Sequence, residues 1–421
     1  MQSSLNRINL IKNQLSASVS NTKAPKVKTV PKQIIKCALN YLDFDDFLTP
    51  EEKQYRTSLR NFLEREKISE KFTSLIETQS FDLEIPRKIV KEFPDILMGL
   101  ASKETSIFKW ASILMELGRC DVNLSSFFAI QSELCIKTLY YLGSETQKAK
   151  YLNKLISLEL VGCWGLTEPN FGSDASSLAS SAVESESGWI LNGQKRWIGN
   201  GTIADIYFLW ARNQKTKKVQ CFIVEKGTKG LTAKKMESKL ALRAVQNADI
   251  TFENVSVPIE NCLPGAKEFK DTNKVLLISR LGVTWTAIGV ALGVYDAAIQ
   301  YVSDRRQFGK PLAAFQLTQI KLGTMLANVQ AMLQYTKRVS ELFNSGKATM
   351  GKISLCKGYC TKLLRETVAL AREVLGGNGI LMDYKVMKSF VDAEVIYTYE
   401  GSYDINMLVA GSEITGIKAF K

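Results

Sequence analysis

Between Val161 and Gly265 the chain reads as short β runs separated by turn residues, and on both sides of that block the pattern is helical. A block of one period set between two stretches of another restricts the fold to a β unit flanked by two helical units. The β runs are Trp189-Ile190-Leu191, Ile206-Tyr207-Phe208-Leu209-Trp210, Cys221-Phe222-Ile223-Val224 and Ile250-Thr251-Phe252, with Asn192-Gly193 and Asn200-Gly201 as the expected hairpin turns. Upstream, Thr49-Pro50-Glu51-Glu52 and Ser144-Glu145-Thr146-Gln147 carry the chemistry of helix starts, and glycine is scarce. Downstream, Val283, Ala287, Val290, Ala291 and Val294 make one apolar face, and Leu322, Met325, Leu326 and Val329 make another. Ala287, Gly289, Ala291 and Gly293 predict close helix packing in a bundle. The expectation is an α+β fold: an N-terminal helical domain over 43–160, a middle β-sandwich or barrel over 161–265, and a C-terminal four-helix bundle over 266–421.

The 421 residues suffice for two or three compact units, and no fixed-period repeat is evident. Histidine is absent, which excludes His-assisted nucleophiles, His metal ligands and imidazole acid–base chemistry. Proton transfer near neutral pH then falls to a carboxylate, Lys, Tyr or Cys. The eight cysteines are dispersed without a Cys-x-x-Cys pair, so neither a zinc site nor a disulfide framework is expected, and no metal site is assigned. A net charge of +13 suits an anionic ligand. No nucleic-acid-binding signature accompanies it, and no apolar run approaching the ~18 residues of a membrane span is read. Residues 1–42 lack Asp and Glu and carry seven basic residues, which reads as a flexible tail or targeting segment. Arg7-Ile8 followed by Gln14-Leu15 is similar to an amino-terminal peroxisomal signal; a mitochondrial matrix address is the alternative.

Three separated segments carry the chemistry. Cys163 to Asp174 concentrates glycine, serine and threonine, whose N–H and hydroxyl groups could hold flavin carbonyls, a pyrophosphate or a thioester chain. Asp304 to Pro311, with Phe315-Gln316, offers an arginine fork for phosphate and an aromatic face for adenine. Glu373 to Ile380 holds a glycine run lacking dinucleotide-fingerprint spacing, and Tyr397 to Asn406 sets Glu400 between an aromatic and a glycine. Desolvation there would raise the Glu400 pKa toward a useful base. Each segment alone reads as an ordinary turn, and Glu400 alone as a solvated carboxylate.

Together, Leu166-Thr167-Glu168-Pro169 with Gly172-Ser173-Asp174, Asn192-Gly193-x-Lys195-x-Trp197-Ile198, Arg305-x-Gln307-Phe308-Gly309, Leu375-Gly376-Gly377-Asn378-Gly379 and Tyr399-Glu400-Gly401 resemble the acyl-CoA dehydrogenase and oxidase superfamily. The likeness runs from Asp43 to Lys421 and is greatest to plant-type short-chain acyl-CoA oxidases and glutaryl-CoA dehydrogenases. The resemblance implies FAD as cofactor and oxidation of a short acyl-CoA at its α,β bond. Glu400 would be the base and flavin N5 the hydride acceptor. It places Trp164, Leu166, Thr167, Gly172, Ser173, Trp197 and Ile198 at the flavin, and Ser173, Arg280 and Gly401 at the substrate. Arg305, Phe308, Gln316, Glu373, Gly376 and Gly377 would grip the FAD of a neighbouring subunit in a homodimer or homotetramer; Ser402 and Asp404 would contact FAD. Ser125 stands where glutaryl-specific relatives have an arginine, which favours a plain acyl chain. The resemblance and the Arg7 to Leu15 signal lead to the expectation of an oxidase, with O₂ as electron acceptor; the alternative is a mitochondrial, glutaryl-CoA-like dehydrogenase passing electrons to an electron-transfer flavoprotein. A catalytically silent assembly subunit of the same fold is the reading from a different class, and a colourless protein after FAD addition would select it.

Overall fold

The computed structural model describes residues 38–101 and 105–420. The Arg7 to Leu15 signal lies outside the described residues. The segment read as a tail to residue 42 enters the fold earlier than expected, because Ala38 and Leu39 are buried in the core.

The first helices are α1 (Pro50–Arg65), α2 (Ile68–Thr78), α3 (Glu84–Glu92), α4 (Ile107–Cys120) and α5 (Val122–Ala129). A π-helical turn over Ile130–Ile136 leads into α6 (Lys137–Leu142) and then α7 (Glu145–Ile156). Both expected capping boxes form. Thr49 Oγ1 accepts from Glu52 N–H at 3.2 Å while the Glu52 carboxylate accepts from Thr49 N–H at 2.8 Å; Ser144 and Gln147 repeat the pair. Each satisfies donors that a helix start leaves open.

Seven strands follow: β1 (Gly162–Gly165), β2 (Ser181–Ser185), β3 (Gly188–Ile198), β4 (Ile206–Asn213), β5 (Val219–Glu225), β6 (Leu231–Lys235) and β7 (Ala248–Val257). The sandwich or barrel expectation takes the form of one curled sheet. β4 pairs with β1 and β2 in parallel and with β5 antiparallel, and β3, β7 and β6 continue antiparallel from β2. Asn192-Gly193 is not the hairpin turn its sequence suggests. It sits at a bulge inside β3, where Asn192 Oδ1 accepts from Asn254 N–H at 2.7 Å and a Cβ on Gly193 would lie 2.3 Å from Ser180 Oγ. The β2–β3 hairpin instead turns at residues 186–187.

The remaining elements are α8 (Asn273–Asp304), a small hairpin of β8 (Arg306–Gln307) and β9 (Lys310–Pro311), α9 (Gln316–Asn344), α10 (Met350–Val374), α11 (Lys385–Thr398) and α12 (Tyr403–Thr415). Helices α8 to α11 pack as a bundle, with α12 along α10. The expectation of no span-length apolar run fails at Phe269–Asp304, which is long and apolar enough to cross a membrane. Of its most apolar window 83% is buried inside the fold, and the helix is the common core element of the bundle and the N-terminal helices. A helix apolar all round fits that position.

Candidate active site

The Leu166 to Pro169 run turns over the sheet surface, and an ion pair holds it there. Lys195, fully buried on β3, lies 2.7 Å from the buried Glu168 carboxylate and donates to the Leu166 carbonyl at 3.2 Å. Glu168 also accepts from the N–H groups of Ala179 and Ser180. Burial lowers the Lys195 pKa to about 8, and Glu168 opposes that fall. Arg196 N–H completes the attachment by donating to the Thr167 carbonyl at 2.9 Å.

Trp197 then falls in the second β3 bulge, with φ +65°. A bulge re-aims the side chain it carries, and the indole is 55% exposed although it stands between strand residues. Its neighbour Ile198 is buried. Trp164 is nearly buried, donating its indole N–H to Thr138 at 2.9 Å, and Leu166 is buried beside it. Thr167 is half-buried, and Gly172 and Ser173 are exposed. The structure thus brings Thr167 beside the Trp197 bulge, while Trp164 and Leu166 pack in one core cluster and Ile198 in another, and Gly172 and Ser173 are exposed. An exposed indole on a left-handed bulge beside a threonine fits the face of a flat ring system such as a flavin.

Glu400 lies just past the C-terminus of α11 with φ +54°, followed by Gly401 at +82°. Its carboxylate accepts from Ser279 Oγ of α8 at 2.8 Å. Burial raises its pKa above the usual 4.5, while the Ser279 hydrogen bond and the charges of Arg280 and Lys357 pull the other way. Arg280 donates to Ser354 Oγ at 3.0 Å, and its Nε is buried without a partner. A Cβ on Gly401 would lie 3.5 Å from the Arg280 guanidinium, so Glu400, Gly401 and Arg280 form one cluster. The π-helical turn joins this cluster to the sheet. Its Gln131 accepts from Gly162 N–H at 2.8 Å, and its Glu133 bears electrostatically on Glu400. Glu133 accepts from Trp110 and Ser132 and pairs with the buried Lys137.

The other expected residues stand apart. Phe308 is 93% exposed, with its ring 6.1 Å from that of Phe315; Arg305 and Gln316 are exposed beside it. Glu373 pairs with Lys321 of α9 at 2.7 Å, and Gly376 and Gly377 are exposed. Among the described residues, none of these six is bonded to the Glu400 cluster of its own chain. Ser402 caps α12, accepting from Ile405 N–H at 3.3 Å, and Asp404 is exposed in its first turn.

Three family models cover most of the chain: the acyl-CoA dehydrogenase N-terminal domain over residues 49–159, the middle domain over 163–255, and the C-terminal domain over 269–414. An acyl-CoA dehydrogenase of Bacillus subtilis is 30% identical over 88% of this chain and 99% of its own length. The chain belongs to the acyl-CoA dehydrogenase family. A short-chain-specific acyl-CoA dehydrogenase of Clostridium acetobutylicum is 30% identical over 89% of this chain and all of its own. A glutaryl-CoA dehydrogenase of Mycobacterium smegmatis in complex with FADH2 superimposes with a TM-score of 0.86 at 29% identity, covering 91% of this chain and all of that one. Acyl-CoA dehydrogenases are FAD-dependent oxidoreductases acting on CH–CH groups, and this chain is one of them. These relatives correct the peroxisomal expectation: they come from bacteria, cells without peroxisomes, and they are named dehydrogenases rather than oxidases.

Sequence reasoning missed Ser279, Lys357, Asn406 and the Glu133–Lys137 pair. A signal for Lys357 was present: it lies on the apolar stripe of Ile353, Cys356, Cys360 and Leu364, where a lysine needs a buried acceptor.

Proposed function

We propose that this acyl-CoA dehydrogenase family member oxidises a short-chain acyl-CoA to the trans-2-enoyl-CoA, with Glu400 as the base that removes the α-proton. The observation that carries the reading is a part-buried carboxylate of raised proton affinity, placed by a left-handed turn beside Ser279 and Arg280. Among the described residues no acceptor takes the Glu400 N–H, which leaves it free to donate to the thioester carbonyl. A donor aimed at that oxygen acidifies the α-carbon by stabilising the developing enolate. Glu400 takes the α-proton, and Ser279 and Arg280 orient and balance the carboxylate before it does. FAD, when bound, supplies the acceptor for the β-hydride. Trp197, Thr167 and the 172–173 turn would hold it, with Ser402 and Asp404 alongside.

Ser125 is fully buried, with its hydroxyl 3.3 Å from Thr286 Oγ1, so no cation stands at that position to meet a distal carboxylate. This favours butyryl- or hexanoyl-CoA over glutaryl-CoA. The dehydrogenase relatives favour an electron-transfer flavoprotein over O₂ as acceptor. The test is turnover of butyryl-, hexanoyl- and glutaryl-CoA under O₂ alone and then with an artificial acceptor. Acceptor-dependent turnover of butyryl-CoA is expected; rapid peroxide formation under O₂ would make the enzyme an oxidase. Glu400→Gln is expected to keep its yellow flavin and lose at least about 10³-fold in turnover. Activity within about tenfold of wild type in that variant would remove Glu400 from the role.

A further inference from the structure

The backbone at Glu400 lies in a region that only glycine occupies freely, and such a conformation persists where its surroundings over-determine it. Two fully buried side chains from different helices do so here. Lys357 of α10 donates its Nζ to the Tyr397 carbonyl at 3.2 Å and to the Gly401 carbonyl at 2.7 Å, one on each side of Glu400. Asn406 of α12 donates its Nδ2 to the carbonyls of Gly401 at 2.7 Å and Ser402 at 3.0 Å, and reaches that of Glu400 at 3.4 Å. The Gly401 carbonyl therefore takes a donor from each helix.

An ammonium that is fully buried against carbonyls, with no carboxylate in contact, is costly to keep charged. Burial, helped by the charge of Arg280, lowers the Lys357 pKa to about 7, and the nearby Glu400 acts to raise it. An apolar side chain would fill this place on the stripe without that cost. A lysine here is explained by what its charge and its two hydrogen bonds do for the turn.

We propose that Lys357 and Asn406 are positioning residues that clamp residues 397–402, aiming the Glu400 carboxyl and N–H at the substrate, and that the Lys357 charge stabilises the Glu400 carboxylate. This rests on Glu400 being the base. The charged and titratable groups facing Glu400 are Arg280 from α8, Lys357 from α10, Glu133 from the π-helical turn and its neighbour Tyr399; Ser279 adds a neutral hydrogen bond. Arg280 and Lys357 favour the carboxylate and Glu133 opposes it. Removing the Lys357 charge therefore raises the Glu400 proton affinity and moves the acid limb of the rate profile to higher pH.

The experiment uses the FAD-loaded enzyme and compares Lys357→Met, Lys357→Arg, Asn406→Ala and Glu400→Gln with wild type. One readout is kcat and KM for butyryl-CoA across pH. The other is exchange of the α-hydrogens of 3-thiabutyryl-CoA with D₂O, followed by mass spectrometry; sulfur in place of the β-carbon allows proton removal and no hydride transfer. Lys357→Met is expected to lower kcat by about tenfold or more with KM changed by less than about threefold, to slow exchange in parallel, and to move the acid limb up by about one pH unit. Lys357→Arg should restore the limb, and Asn406→Ala should slow exchange without moving it. Wild-type exchange and an unmoved limb in folded, yellow Lys357→Met would overturn the proposal. Should that variant not fold, Lys357→Gln keeps a donor and loses the charge; its limb should rise likewise, and an unmoved limb there would overturn the proposal equally. Exchange persisting in Glu400→Gln would instead refute Glu400 as the base, a distinct failure.

Discussion

At the scale of single residues, the candidate site turns on how far the protein shifts ordinary side chains from their solution behaviour. Glu400 read alone is a common glutamate; packed against Ser279, Arg280 and Lys357 it becomes an enclosed carboxyl whose pKa burial raises above 4.5. The folded chain then holds that proton more tightly than the unfolded chain does. Stability supplied by the protonated form is present below 4.5 and is lost as pH rises through the raised value. Two outcomes follow. The acid limb of kcat/KM should lie above 4.5, measured on butyryl-CoA in the free-enzyme regime, and a limb at or below that value would contradict the geometry. Glu400→Gln should melt no lower than wild type at neutral pH, because the neutral amide avoids burying a charge. The glutamate was singled out by the family motif Tyr399-Glu400-Gly401, and its aromatic and glycine neighbours only made a pocket plausible. Lys357 was missed although it lies on an apolar stripe, because the stripe signals burial without naming the backbone carbonyls the lysine meets.

At the scale of elements, α8 shows how composition can reveal a close approach without naming the partner. Its small residues predicted tight packing in a bundle, and the tightest contact is instead with α4 of the N-terminal helices. A Cβ on Gly289 would lie 2.1 Å from the Met115 carbonyl oxygen, and one on Gly293 would lie 2.6 Å from that of Arg119. Gly118 of α4 returns the contact, 2.6 Å from the Thr286 carbonyl. Both partners are backbone and cannot rotate away. Gly289→Ala is therefore expected to destabilise the protein by about 1–3 kcal/mol or more, seen as a lower denaturation midpoint. Gly411→Ala on α12, with nothing within 4 Å of its Cβ position, should show no such loss. The same burial explains why α8 has the composition of a membrane span while serving as a core helix.

At the scale of the whole molecule, one chain presents groups that it does not use. Phe308 stands 93% exposed on the β8–β9 hairpin, Leu317 and Ile320 are exposed on the helix that follows, and Arg305 and Gln316 flank them. We propose that these exposed apolar groups are where a second copy of the chain docks. On this proposal they and the exposed Gly376-Gly377 turn would meet a neighbour's flavin in a homodimer or homotetramer. Light scattering of the purified protein should give a multiple of the 47.0 kDa chain mass. Arg305→Ala combined with Phe308→Ala should lower flavin retention by about tenfold or more while leaving the helical circular dichroism unchanged. A monomer that retains its flavin fully would refute the shared site.

Local chemistry was enough to specify the order of helices and strands, the capping boxes at Thr49 and Ser144, and the family motifs, because periodicity, capping and turn preference act over a few residues. Even there, Asn192-Gly193 signalled a turn and became a bulge once β7 lay alongside β3. Only the tertiary structure decided that Glu168 is neutralised by Lys195, that Trp197 is turned outward, and that Lys357 and Asn406 converge on the carbonyls around Glu400. The Lys195 and Lys357 pairings join positions 27 to 44 residues apart in the chain. What sets them is the burial of charge and the satisfaction of backbone donors and acceptors, which have no meaning until the core has closed around them.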